Sequence, residues 1–202
     1  MADNYLERKM EEYRSGKGVT YRHRTTPTGA RPGTLNVKFP SRRVLVTGGA
    51  NGIGRAIVKA FCDAGCRVAF CDIDSKAGAA TAQATGAQFH PVDVRDAAAL
   101  ERCMDRLLEA WGDIDVIVNN VGVSAFKPLE ESSLEEWDDI MSINVRPVYI
   151  TSRKLAIHRR NMGGESHYGR IINMASTRQS MSEAGTEAYS ASKGAVDSLT
   201  HA

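Results

Sequence analysis

No apolar run in this 202-residue chain approaches the roughly 20 residues needed to cross a bilayer, so no membrane partner is expected. The first residues are rich in charge and lack the apolar middle of a secretory signal. Cysteine is sparse and spaced for no zinc pattern: Cys62, Cys66, Cys71 and Cys103 fall inside helix- and strand-like stretches, not in a loop framework. The expectation is a cytoplasmic protein with reduced, mostly buried thiols and no metal. What remains is ordinary for a globular chain, with 42% hydrophobic and 25% charged residues. The length suffices for one domain with a sizeable core and an appendage.

The net charge of +2 is unevenly placed: residues 1–46 carry +6 and residues 47–202 carry −4. A basic leader can touch nucleic acid or an acidic surface, but this one matches no nucleic-acid-binding motif, and no such partner is expected. Residues 4–14 read as a short helix with Leu6, Met10 and Tyr13 on one stripe. Ser15 to Gly18 stops it, and the proline- and glycine-bearing stretch that follows favours an extended arm, one that wraps a partner subunit. The organisation expected is therefore a basic extension over residues 1–40 and a domain over 41–202.

Arg43 to Thr47 is a short apolar, β-branched run, followed at once by Gly48-Gly49-Ala50-Asn51-Gly52-Ile53-Gly54 and a helical stretch with Ile57, Val58, Ala60, Phe61 and Ala64 on its apolar face. Strand, glycine turn and helix in that order form a phosphate-binding context. Gly48 and Gly52 permit a tight turn and close backbone approach to a pyrophosphate, and Gly54 permits the helix to pack on the strand. A second strand, Arg67 to Asp72, ends in a carboxylate 18 residues after Gly54. That is close to the ~20-residue spacing at which an acidic residue accepts hydrogen bonds from an adenosine ribose. A carboxylate there repels a 2′-phosphate, and neither Asn51 nor Ile73 supplies a cation, so NAD is favoured while NADP stays open. The alternative is a carboxylate that merely ends a strand in solvent.

A third short strand and its exit loop are expected over residues 87–94, a helix over Ala97 to Trp111 and a fourth strand over Ile114 to Asn119. Strands and helices alternating at this length predict a doubly wound α/β fold with a parallel sheet. Ser133-Leu134-Glu135-Glu136 has the capping-box pattern of a helix start, and that helix is expected to run to about Arg160. Asn144 falls on its otherwise apolar stripe, where an amide is either a satisfied core group or a functional one. Pro147 lies inside the same helix and predicts a kink next to Asn144. A fifth strand from Gly169 delivers Ser176 to the carboxyl edge of the sheet. A helix then carries Tyr189 and Lys193, four apart on one face. A phenol is ordinarily too weak an acid to trade protons at neutral pH, and an ammonium held beside it favours the phenolate. Alone, such a pair is usually a solvated helix face.

In order and spacing, Thr47-Gly48-x-x-x-Gly52-Ile53-Gly54, Asp93-Val94, Asn119-Asn120-Val121-Gly122, Asn144, Ser176 and Tyr189-x-x-x-Lys193 resemble the short-chain dehydrogenase/reductase family, over residues 41 to 202. The family usually has Ala in place of Val121. The resemblance implies a Rossmann-type sheet and an NAD(P)-dependent oxidoreductase that interconverts a secondary alcohol and a carbonyl by hydride transfer. It implies cofactor contacts from Thr47, Gly48, Asn51, Gly52, Ile53, Gly54, Asp72, Asp93, Val94, Asn120, Gly122, Tyr189 and Lys193, with Asp93 and Val94 flanking the adenine and Asn119 bracing the central strands. By the same resemblance Tyr189 is the general acid or base, Lys193 supports it, Ser176 holds the substrate oxygen, and Asn144 supports a water that relays protons through Lys193. Arg178 and Gln179 either contact a polar substrate or belong to a solvated loop.

Family members generally continue beyond the point matching Ala202, so the domain is expected to be incomplete at its C-terminus. A small-molecule alcohol or carbonyl is the expected substrate partner, and a homo-oligomer is expected at full length. The alternative function is a catalytically inactive fragment or a dinucleotide-binding module.

Overall fold

A computed structural model describes residues 37–163 and 168–202. The expected leader helix and most of the arm lie outside the described residues. The last arm residues are described, and Phe39 already belongs to the domain. Its N–H donates to Ala64 O at 2.8 Å, its carbonyl accepts from Cys66 Sγ at 3.1 Å, and its ring meets Tyr168 edge-on.

Five parallel strands form one sheet: β1 (Arg43–Thr47), β2 (Arg67–Asp72), β3 (Gln88–Pro91), β4 (Val116–Asn119) and β5 (Arg170–Asn173), in the order β3-β2-β1-β4-β5. Helices α1 (Gly52–Asp63), α2 (Ser75–Thr85), α3 (Ala97–Trp111), α4 (Leu134–Asn144), α5 (Arg146–Asn161) and α6 (Glu187–His201) complete the domain. Alternate strand residues feed opposite faces. Leu45, Ala69, Cys71 and Ile117 pack with Leu100, Met104, Leu107 and Leu155 of α3 and α5 on one side. Val44, Val46, Phe70 and Val118 pack with Val58 of α1 and Ala77 and Ala82 of α2 on the other. Burial on both faces is why β1, β2 and β4 are continuous apolar runs without alternation.

The chain moves outward from β1 to β3, then returns to place β4 on the other flank of β1. That reversal opens a crevice at the carboxyl ends of β1 and β4, where open α/β sheets bind ligands.

The single long helix expected from Ser133 to about Arg160 is instead two. Ser133 caps α4 in a capping box with Glu136, as its pattern requires. Val145 then breaks the run with φ −110° and ψ −54°, and α5 begins at Arg146 with Pro147 in its first turn. Proline has no N–H to offer the carbonyl of Ile143, and its fixed φ suits a helix start better than an interior. The predicted kink next to Asn144 is thus a full interruption. Helix α2 carries almost no apolar periodicity and had no sequence expectation. Its ends are set by Asp74, whose side chain accepts from Ala77 N, and by Gly86 at φ +76°. Ala60, expected on the inner face of α1, is exposed.

At the amino ends of the strands, away from the crevice, Arg43 and Asp115 join β1 to β4. Arg43 donates from its backbone N and its Nε to Asp115 Oδ2, both at 2.8 Å. Arg43 and Arg159 both reach the buried Asp113 carboxylate, and Arg159 also donates to Ile114 O at 2.7 Å. Burial opposes ionisation of Asp115, but the Arg43 hydrogen bonds outweigh it and hold its carboxyl below the usual range.

Candidate active site

The glycine turn after β1 is built by close backbone approach. Gly48 sits at φ +69°, and a Cβ on Gly54 would lie 1.8 Å from Gly48 O, so only glycine allows α1 to start so near the strand. Thr47 and Asn120 fasten this turn to the end of β4. Thr47 Oγ1 accepts from Asn120 N at 3.1 Å and Val121 N at 3.2 Å, while Asn120 Nδ2 donates to Gly48 O at 3.0 Å. Asn119 braces the sheet itself, donating to Asn173 Oδ1 on β5 and accepting from Thr151 on α5, both at 2.9 Å.

A cleft of about 440 Å³ follows the carboxyl edge from Gly48 and Asn51 past Asp72, Asp93 and Val94 to Asn120, Val121 and Gly122. Its residues suit a dinucleotide. Asn51, the residue before α1, makes no side-chain cap, and its Nδ2 donates to Asp74 Oδ2 at 3.2 Å. No acidic side chain lies in the first turn of α1, and the space in front of Gly52 is open, so the helix amino end is left for an anion. Ile53 beside it is exposed. At the end of β2, Asp72 Oδ2 accepts from Ala50 N and Oδ1 from Asp74 N, both at 3.0 Å. Each oxygen keeps a lone pair for a further donor.

Gly122, at one end of the cleft lining, stands close to Lys193 of α6 and Asn144 of α4. A Cβ on Gly122 would stand 3.2 Å from Lys193 Nζ and 3.5 Å from Asn144 Oδ1. Lys193 is buried, donates to Met174 O at 2.6 Å, and its ammonium lies 5.8 Å from the Tyr189 ring centroid. Burial pushes the Lys193 ammonium below the ordinary lysine range. Ser176 follows β5, and its Oγ accepts from Arg178 N at 3.2 Å to start a short 3-10 turn, Thr177–Gln179.

Asn144 is almost fully buried, and its whole amide is engaged. Oδ1 accepts from Val123 N at 2.8 Å, and Nδ2 donates to Val123 O and to Ser192 Oγ, both at 2.9 Å. Two residues outside the sequence expectations therefore belong to the region. Ser192 ties Asn144 to the Tyr189 helix, and Arg95 lines the cleft beside Asp93. Ser192 lies inside the Tyr-Lys stretch and Arg95 two residues past Asp93, which is the only sequence signal either carries. Arg178, a candidate substrate contact, is committed to Met181 O and the Glu183 carboxylate, so it braces its own loop.

All four cysteines are free thiols, and burial raises the pKa of each. His90 lies in β3, and burial lowers its pKa. Among the described residues no group of His, Cys, Asp and Glu could hold a metal, and no helix is long and apolar enough to cross a membrane.

A family model described as short chain dehydrogenase matches residues 42–202. An uncharacterized oxidoreductase of Thermotoga maritima is 39% identical over 162 residues, which cover 78% of this chain and 62% of the relative. A sorbitol dehydrogenase of Cereibacter sphaeroides is also 39% identical, over 81% of this chain and 64% of its own length. The crystal structure of a short-chain dehydrogenase from Streptomyces avermitilis superposes with a TM-score of 0.73 at 30% identity, over 80% of this chain and 59% of that one. The chain thus spans less than two thirds of the length of these relatives. With the glycine turn, the crevice at the sheet reversal and the Tyr-Lys helix at its end, the chain belongs to the short chain dehydrogenase family.

Proposed function

We propose that the chain carries the site of an NAD-dependent oxidoreductase that interconverts a secondary alcohol and a carbonyl, with Tyr189 exchanging the proton. Members of this family typically bind NAD(P), and dehydrogenase relatives imply a small-molecule substrate. The observation that carries the reading is the position of Gly122, which lines the cleft and stands against the buried Lys193 ammonium, itself 5.8 Å from the Tyr189 ring centroid.

In this reading Gly48, Gly52 and the amino end of α1 hold the pyrophosphate, with Thr47, Ile53, Gly54 and Asn120 shaping the turn. Asp72 takes the adenosine ribose hydroxyls, which favours NAD over NADP because a 2′-phosphate would meet a carboxylate. A bound nicotinamide dinucleotide supplies the hydride donor or acceptor. Tyr189 gives its phenolic proton to a carbonyl oxygen in reduction and takes one from a hydroxyl in oxidation. The Lys193 charge stabilises the phenolate left behind, and Ser176 donates a hydrogen bond to the substrate oxygen as charge develops. Asn144, its amide locked to Val123 and Ser192, sets where the broken helix presents its carbonyl for a relay water. A polyol is the substrate class we propose, supported by the sorbitol dehydrogenase relative. A cytoplasmic location and a homo-oligomeric state of the whole protein belong to the same proposal.

Isothermal titration with NAD and NADP, paired with absorbance assays of NADH on a sugar and polyol panel, tests this. Binding of NAD with turnover of a polyol supports it. Binding without turnover favours the second reading, a dinucleotide-binding module. Absence of binding overturns both.

A further inference from the structure

Helix α2 contributes no residue to the cleft lining, yet the helix and its cap reach the glycine turn at two points. Thr81, fully buried on α2, donates from Oγ1 to Ala50 O at 2.9 Å. Asp74, the cap of α2, accepts from Asn51 Nδ2 at 3.2 Å. A threonine inside a helix commonly bonds the carbonyl one turn back, and Thr85 does so, donating to Thr81 O at 2.7 Å. Thr81 instead crosses to another element. The helix comes near enough because Gly78 lies against the Phe89 ring, where a Cβ would stand 2.3 Å from Cζ. Ala50 is itself almost fully buried and is held from both sides, since its N–H donates to Asp72 Oδ2 at 3.0 Å. The Ala50–Asn51 peptide is trans, so its N–H points opposite to its carbonyl. With the carbonyl turned to α2, the Asn51 N–H faces away from that helix, and no acceptor among the described residues takes it.

We infer that Thr81 is a positioning residue: its hydroxyl holds Ala50 O, fixes the Ala50–Asn51 peptide plane and keeps the Asn51 N–H available to a phosphate oxygen ahead of α1. The inference rests on the dinucleotide reading of the cleft and gives a role in it to a helix that does not line it. Packing alone does not call for a hydroxyl here, since valine fills the same shape. Only the hydroxyl gives the buried Ala50 carbonyl a donor. Without that donor the carbonyl turns to find another, and the N–H at the far side of the same rigid peptide turns with it. A hydrogen bond from an N–H to a phosphate oxygen is charge-assisted and weakens steeply as its angle opens. The Ala50 N–H that meets Asp72 belongs to the preceding peptide, so an adenosine held by Asp72 is left in place.

Calorimetric titration of the full chain, of Thr81→Val and of Thr81→Ser with ADP and with adenosine tests this without any turnover. Thr81→Val is expected to weaken ADP about tenfold, the size of one misaimed hydrogen bond to a charged group. Adenosine affinity is expected to stay within about twofold of the parent. Thr81→Ser keeps the hydroxyl and is expected to bind both ligands as the parent does. Thr81→Ala carries the same expectation as the valine variant and replaces it if a thermal melt shows that variant unfolded. Unchanged ADP affinity in the folded variant overturns the inference alone. An equal loss of adenosine also overturns it, because the substitution then distorts the whole cleft. A serine variant as weak as the valine one overturns it too, because the loss then comes from packing, as does unfolding of both the valine and the alanine variants, because the hydroxyl then serves the fold. A folded parent chain that binds neither ligand overturns the dinucleotide reading itself.

Discussion

Asn144 Nδ2 lies 2.9 Å from Ser192 Oγ, with both side chains sealed from solvent. The Ser192 hydroxyl passes the connection on by donating to Tyr189 O at 2.7 Å. Ser192→Ala leaves one Asn144 N–H buried without an acceptor, which costs about 1–3 kcal/mol. Asn144→Asp is of equal size but turns an oxygen toward Val123 O, and it should cost more than Ser192→Ala. Urea denaturation of the two variants measures the order, and equal stability of variants and parent would contradict it.

Gly122 separates the cleft from Lys193. In Gly122→Ala the new methyl meets Nζ at 3.2 Å, so the ammonium must shift by a few tenths of an ångström from its place on Met174 O. A misplaced catalytic group typically costs one to two powers of ten, so kcat is expected to fall about tenfold or more with the melting temperature nearly unchanged. Steady-state kinetics beside a thermal melt check both halves.

Tyr189→Phe removes only the hydroxyl. Turnover should vanish, and NAD affinity by titration should stay within about twofold, because Phe keeps the ring and most of the cofactor contacts lie on other elements. Retained turnover would take the proton-transfer role away from Tyr189.

Lys193 supplies a pH signature. Its folded-state pKa lies below the ordinary 10.5 because of burial, so the folded chain binds this proton less readily than the unfolded chain. Its contribution to stability is complete above the ordinary value and is lost as pH falls through the folded value. Lys193→Met, which has no charge to bury, should therefore compare best with the parent at pH 7 and worst near pH 10.5. Paired thermal melts across that window show the trend, and a constant difference would refute it.

Asp115 gives the same sign in a more acidic window. Its depressed pKa means that its contribution is present above the ordinary 3.8 and is lost as pH falls through the folded value. Asp115→Asn should cost about 2–3 kcal/mol at pH 7, because the part-buried Arg43 loses its shortest charged partner and keeps only the longer contact to Asp113. The gap from the parent should close below about pH 3, as denaturant melts at the two pH values would show.

Much of this architecture was legible from local pattern. β1, β2 and α3 fall where their apolar runs put them, because burial on both sides of a parallel sheet writes itself into consecutive residues. The Ser133 cap was equally plain. The break at Val145 was only half visible: Pro147 announces a disturbance, but whether a helix resumes depends on burying Val148, Ile150 and Leu155 against the sheet. Helix α2 was invisible to periodicity because Ser75–Thr85 is largely alanine, threonine and glycine. The glycine turn, Asp72 and the Tyr189–Lys193 pair could be named because their spacing along the chain is their geometry. Which side chain Asp93 faces, or where the Asn144 amide points, depends on rotamers that no spacing encodes.

The Arg43–Asp115 ion pair and the glycine turn occupy opposite ends of the same short strand, β1. Robustness is concentrated at one end and chemistry at the other, with four buried residues, Val44 to Thr47, between them. Inherited or engineered changes can therefore retune the folding of this protein while its ligand preferences stand still, and the reverse holds as well.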